Sequence, residues 1–194
     1  MFYKNGQLRR ECVYNEKGRL HGSDKGYYEN GAIMIKCTYQ NGEIIGDFNR
    51  YHQNGTLKES GQYNEKGKKA GVWRSFYPDS SLHSIGEFRD NKYEGTWRVY
   101  HQNGMLKQIG DYSNGKAEGF WKFFHENGRI WKYGDYLNDQ KQGFWKYYTP
   151  ERKPEKTVLF KNNKPDISVW HLNTRNSNIK RKNNLIRKTP IISD

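Results

Sequence analysis

Large side chains fall on alternate positions through most of this chain, in short runs that stop at Asn-Gly or another small polar pair. In Thr96–Gln102, Trp97 and Val99 alternate with Thr96, Arg98 and Tyr100, and a second alternating run follows over Met105–Tyr112. A period of two is the signature of a β-strand. Asn103-Gly104 between the runs reads as a tight hairpin turn whose two central residues both take positive φ. A second pair, Asn114-Gly115, turns the chain into the next run.

The whole pattern recurs at Gly119, 24 residues on, with Trp121, Asn127-Gly128, Ile130, Gly134 and Tyr136 in step. It recurs backwards at Gly71 (Trp73, Leu82, Gly86, Phe88), at Gly46 (Phe48, Asn54-Gly55, Leu57, Gly61, Tyr63) and at Gly22 (Asn30-Gly31, Ile33, Tyr39). A decayed copy starts at Gly143 with Trp145 and Phe160. Self-similarity at such a period marks a repeat array. The reading is a half unit over 1–21, units over 22–45, 46–70, 71–94, 95–118 and 119–142, and a decayed unit over 143–165. Each unit is one hairpin, so the fold class is all-β: an open, elongated, single-layer antiparallel meander of about 12–13 strands. Pro78-Asp79-Ser80 replaces the first turn in the Gly71 unit, and that hairpin is expected to be looser.

A two-residue loop at Asn103-Gly104 sets Trp97 opposite Gly110 and Tyr112 opposite Gly95. Opposed residues share a sheet face, so each ring is expected to lie flat over a residue without a side chain. The structural positions are then Trp73, Trp97, Trp121 and Trp145, with Gly61, Gly86, Gly110 and Gly134, and Tyr63, Phe88, Tyr112 and Tyr136. One face carries Trp97, Val99, Leu106, Gly110 and Tyr112. The other carries Thr96, Arg98, Tyr100, Lys107, Ile109 and Asp111.

Composition fits a thin sheet. Hydrophobic residues are only 33% of the chain, while aromatics reach 15% and glycine numbers 20. That is too little apolar mass for a thick core and suits rings set over bare backbone. No apolar run approaches the roughly 20 residues of a membrane span, and Met1–Gly6 lacks the apolar stretch of a signal peptide; a cytoplasmic chain is expected. Cys12 and Cys37 both fall at the Gly110 position. They lie two strands apart, roughly 9.6 Å, beyond the reach of a disulfide, so free thiols are expected. The net charge of +13 draws anionic partners. Residues 166–194 leave the repeat and carry six basic and two acidic residues. They are expected to form a basic, partly disordered tail, in which Ile167-Ser168-Val169-Trp170 could cap the last edge as a strand.

Candidate chemistry is periodic, which argues for the repeat and against catalysis. His52, His101 and His125 share one position, and the closest pair, His101 and His125, is about 10 Å apart, too far for one zinc ion. Glu87, Asp111 and Asp135 form a second column, outside the spacing of a glycosidase pair. No nucleotide-binding motif occurs. The reading is a protein that is no enzyme and that needs no metal or cofactor. What remains is a basic-aromatic stripe of Arg74, Arg98, Tyr100, Lys107, Lys122, Phe124, Lys146 and Tyr148, expected to dock a partner.

The unit G-x-W-x-x-Y-x-x-N-G-x-L-K-x-x-G-x-Y-x-N-G-K resembles the MORN repeat variant seen in bacterial proteins, and Tyr93-Glu94-Gly95-Thr96-Trp97 resembles the Y-x-G-x-W heart of the wider MORN family. The resemblance covers residues 1–165. It departs at Asp24, which replaces the Trp, and at Val158, which replaces the Gly, so the end units are expected to pack less well. Similar proteins are often labelled antitoxin components of toxin–antitoxin loci, and other MORN arrays are linked to membrane phospholipids or to scaffolding. The resemblance therefore implies a protein-binding scaffold or an antitoxin-like neutraliser with an acidic protein partner. The alternative is binding of anionic phospholipid or nucleic acid through the stripe and tail.

Overall fold

The computed structural model describes residues 1–166. The ordered elements are strands β1 (Arg10–Tyr14), β2 (Leu20–Tyr27), β3 (Ile33–Gln40), β4 (Glu43–Tyr51), β5 (Leu57–Tyr63), β6 (Lys69–Phe76), β7 (Leu82–Arg89), β8 (Lys92–Tyr100), β9 (Leu106–Ser113), β10 (Lys116–Phe124), β11 (Ile130–Leu137), β12 (Gln140–Tyr148), β13 (Pro154–Lys161) and β14 (Lys164–Pro165). Each pairs antiparallel with its neighbours in sequence, giving one open fourteen-stranded meander. The architecture is the expected one. The strand total exceeds the expected 12–13 because the two-residue β14 pairs with the end of β13. The tail strand proposed at Ile167–Trp170 and the rest of the basic tail lie outside the described residues.

The two turns of a unit differ, and only one matches the sequence reading. At Asn114 (φ 53°) and Gly115 (φ 87°) both central residues are left-handed, and Ser113 pairs with Lys116 across a two-residue loop. Asn103 is not left-handed. The His101 amide donates to Met105 O at 2.8 Å and the Gly104 amide to His101 O at 2.9 Å. The loop thus has three residues, with Gly104 alone at φ 81°. Asn103 is there for its side chain: Oδ1 accepts the Met105 amide at 3.0 Å, and Nδ2 donates to Glu126 O of the next unit at 2.7 Å. Asn30, Asn54 and Asn127 make the same pair of bonds.

The turn at Pro78-Asp79-Ser80 is not looser. Its backbone bonds, Tyr77 N to Ser81 O and Ser80 N to Tyr77 O, are both 2.9 Å, and Asp79 Oδ1 accepts the Ser81 amide as asparagine does elsewhere. The histidine column also belongs to this ladder. His52, His101 and His125 place Nε2 at 2.9–3.1 Å from a carbonyl of the next unit, the role that the hydroxyls of Tyr3, Tyr28 and Tyr77 fill in theirs.

The predicted pairing of Trp97 with Gly110, and of Tyr112 with Gly95, is present. The packing runs the other way. A Cβ on Gly110 would overlap Trp121, and one on Gly86 would overlap Trp97; Gly61 and Gly134 stand likewise under Trp73 and Trp145. Each indole leans back over the preceding unit. Gly95, expected to lie beneath Tyr112, has open space at its Cβ; it is needed for its φ of 61°. That twist breaks the pairing of β7 and β8 between Ile85 and Glu87, so three residues of β8 face the single Gly86. The bulge seats the ring and frees Glu87 O, which accepts Trp97 Nε1 at 3.0 Å. Trp73 and Trp145 bond in the same way to Gln62 O and Asp135 O.

The resulting core is one row of rings on one face, each set edge-on to the next: Tyr63 to Trp73 at 5.3 Å, Phe88 to Trp97 at 5.2 Å, Tyr112 to Trp121 at 5.0 Å and Tyr136 to Trp145 at 5.0 Å. Such geometry adds to area burial, and Trp73 and Trp145 are almost wholly enclosed. The ends are closed rather than loose. Asp24, at the first Trp position, is buried, bonded to Arg10 Nε at 2.6 Å and approached by Cys37 Sγ at 3.8 Å. Val158 is buried opposite Trp145. Cys12 and Cys37 are both free thiols.

Candidate partner-binding face

The pairing places one residue of each strand in a straight row on the face away from the tryptophans. From β6 to β13 the direct partners run Arg74, Ile85, Arg98, Ile109, Lys122, Tyr133, Lys146 and Thr157. Adjacent strands lie about 4.8 Å apart, so the cations follow one another at about 9.6 Å. All four are exposed. Among the described residues none of the four joins an ion pair. Of the nearby carboxylates, Glu94 and Glu118 accept the amides of Asn114 and Asn138 and Asp111 accepts the Thr96 hydroxyl, while Glu87 and Asp135 stand on the same face without pairing to the row.

Aromatic residues border the row on its turn side. Tyr100, Phe124 and Tyr148 are half-buried and pair with Leu106, Ile130 and Pro154. Tyr148 stacks on Tyr133 at 5.9 Å with the rings 18° apart, and the two hydroxyls are 3.3 Å apart. That hydrogen bond, with a little burial, holds the Tyr148 phenol above its ordinary pKa. Lys146 Nζ lies 5.9 Å from the Tyr133 centroid, and Lys122 Nζ lies 5.5 Å from that of Phe120. Beside the stacked tyrosines is a cavity of about 420 Å³ lined by Gly128, Arg129, Ile130, Tyr133, Tyr148 and Arg152.

One sequence-predicted member does not join. The pairing slips between Val99 and Tyr100, so that Tyr100 faces Leu106 and Lys107 becomes the extra residue of a bulge. Lys107 lines a cavity of about 510 Å³ with Gln108, Phe123 and Lys132. Phe123 packs at 6.0 Å from both Trp121 and Trp145, so this is the tryptophan face. Leu106 and Lys107 have exchanged the faces assigned from sequence. The candidate stripe left out Phe120 and Phe144, which follow Gly119 and Gly143 and are 46% and 57% exposed, and it left out Ile85, Tyr133 and Ile109 inside the row, although the alternation had set Ile109 on this face. Aligning the units column by column, rather than scanning for charge, was the signal that could have found them.

Among the described residues, no cluster of three or more His, Cys, Asp or Glu side chains could hold a metal ion. Nor is any helix among them long and apolar enough to cross a membrane. No curated protein matches the chain. The family model of the MORN repeat variant matches residues 1–16, 20–41, 45–65 and 93–114, the last of which spans hairpin β8–β9, so these four segments are similar to that repeat.

Proposed function

We propose that this chain is a non-enzymatic binding module whose polar face takes an acidic segment of a protein partner. MORN repeats are in general modules for binding proteins or membranes, and the antitoxin-like role implied by the sequence resemblance is one form of such binding: covering an acidic partner. The observation that carries the reading is the row Arg74, Arg98, Lys122 and Lys146. These are four exposed cations without ion-pair partners, interleaved with Ile85, Ile109 and Tyr133 and bordered by Phe120 and Tyr148. Charge of one sign along one face steers an oppositely charged partner, and exposed aromatics supply the contact area.

The test compares the chain with a variant in which all four cations become serine. Each is used to capture partners from host extract, and each captured protein is then purified and titrated back. The expected result is a partner retained by the native chain, lost by the variant, and weakened by salt. Identical retention by both proteins overturns the assignment of the face. Tight binding of the native chain to anionic vesicles, with no protein retained, moves the reading to the membrane.

A further inference from the structure

Resting on that binding reading, we infer that the occupant is an extended acidic peptide in the polyproline II conformation. It lies across the strands with a carboxylate at every third residue, and it sets one bulky apolar side chain in the cavity beside the stacked Tyr133 and Tyr148.

The spacing selects the conformation. The cations recur every two strands, about 9.6 Å. A polyproline II helix advances about 3.1 Å per residue with three residues per turn, so side chains three apart lie on one side of it about 9.3 Å apart. Over the three steps from Arg74 to Lys146 the mismatch reaches only about 1 Å, which flexible Lys and Arg stems absorb. An α-helix matches less well. Carboxylates seven apart stand about 10.5 Å apart, and the error grows to almost 3 Å over the row. A β-strand advances almost the right distance in three residues, but residues three apart point to opposite sides. Of the regular conformations, only the threefold one aims successive carboxylates at successive cations.

The residues between the cations fit the same chain. Ile85, Ile109 and Tyr133 fill the row between cations. They offer apolar surface to the rings or methylenes of intervening prolines, the surface that polyproline recognition uses. The cavity lies between the turn at His125–Arg129 and the turn at Thr149–Lys153, on the turn side of Lys122 and Lys146. A residue between the two carboxylates that meet these lysines faces it. Ile130 and the stacked tyrosines give this cavity an apolar wall, and Arg129 and Arg152 stand in its lining.

The experiment uses the full chain and two proline-rich peptides of identical composition, each with four Glu and one Leu. In the first, Glu occupies every third position and Leu stands between the last two. In the second, the Glu are paired. Affinity is read by fluorescence anisotropy, with the fold of every variant checked by circular dichroism. The first peptide is expected to bind about tenfold tighter, since three further aligned exposed pairs each contribute a few-fold. Arg98→Glu with Lys122→Glu should abolish that preference. Tyr148→Ala should erase the advantage of Leu over Ala at the cavity position and leave the advantage of the Glu spacing. Equal affinity for both peptides overturns the threefold geometry and leaves the acidic-partner reading standing. Failure of both peptides at low salt, with binding to phosphatidylserine vesicles instead, overturns both.

Discussion

Replacing Gly110 with alanine tests the central packing claim, that each indole sits on the glycine of the preceding unit and not on the glycine it pairs with. The backbone at Gly110 is not left-handed, so alanine carries no conformational penalty there. Its Cβ would overlap two Trp121 ring atoms and lie 2.5 Å from a third, Cγ. Carbon atoms rest near 3.5 Å, so the ring must retreat by about 1.5 Å. It is 2% exposed and hemmed by Tyr112 at 5.0 Å and Tyr136 at 5.8 Å. Overpacking costs about 1–3 kcal/mol, and full expulsion of the indole is bounded by the 3–5 kcal/mol of a Trp→Ala change. Gly110→Ala should therefore cost about 3 kcal/mol, read as a lowered urea midpoint at unchanged slope by far-ultraviolet circular dichroism. Gly95→Ala, with open space but φ 61°, should cost only about 1–2 kcal/mol. The decisive measurement is a pair of double-mutant cycles. With Trp121→Ala the glycine change should become nearly free, a coupling of about 2–3 kcal/mol; with Trp97→Ala the two changes should simply add. Coupling to Trp97 and additivity with Trp121 would refute the reasoning.

Three further outcomes follow from the same geometry. Asn103→Ala removes the bonds to Met105 N and Glu126 O and should cost about 1–2 kcal/mol in urea unfolding, while His101→Tyr should stay within about 0.5 kcal/mol, because Tyr77 fills the same place through its hydroxyl. Burial, then the charge of Asp24, pushes the Cys37 thiol up to about 12 from an ordinary 9.0. The folded form therefore favours the protonated thiol, and this contribution is full below pH 9 and lost as pH rises towards 12; Cys37→Ala should flatten the alkaline fall of the unfolding midpoint, and an unchanged profile would contradict it. Asp24→Asn leaves the Arg10 guanidinium without its carboxylate and should destabilise by about 2–3 kcal/mol, much of it recovered by adding Arg10→Met, as a double-mutant cycle will show.

The fold was legible in the chain because its period is short and its turns carry fixed chemistry. The pairing of Trp97 with Gly110 follows from counting residues, since the extra loop residue Gln102 and the extra bulge residue Lys107 both lie between that pair and the turn, and a pairing counted as regular absorbs them together. What counting cannot give is the lean of a side chain. Trp97 has a glycine on each side, Gly86 in β7 and Gly110 in β9, and only the bulge made by Gly95 decides between them. The same bulge chemistry misassigned Lys107, because one extra residue reverses the alternation for everything between it and the turn. The face assigned to Arg74, Arg98, Lys122 and Lys146 holds because all four lie on the regular side of that slip.

Stability does not explain those four cations. The repeat fixes the spacing of whatever stands at that column, but not its charge: Asn49 holds the same place in β4, and the sheet pairs through it without interruption. Like charges about 9.6 Å apart in water repel by about 0.4 kcal/mol before screening, and they lie about one Debye length apart in physiological salt. The row therefore costs the isolated fold a little, and the long contacts of Lys122 with Phe120 and of Lys146 with Tyr133 return a comparable amount. On the opposite face the lysines pack over rings, as Lys69 does at 3.7 Å from the Trp73 centroid and Lys141 at 4.6 Å from that of Trp145. There a positive charge has an internal use. On the row the tryptophans lie on the far side, the rings nearest Lys122 and Lys146 stand farther off at 5.5 and 5.9 Å, no ion pair forms among the described residues, and the charge faces outward. If the four positions were filled by asparagine the stability of the sheet should change by no more than about 0.5 kcal/mol, and only the partner's affinity should fall. That separation of stability from binding is what an outward-facing purpose predicts, and a larger loss of stability on neutralising the row would contradict it.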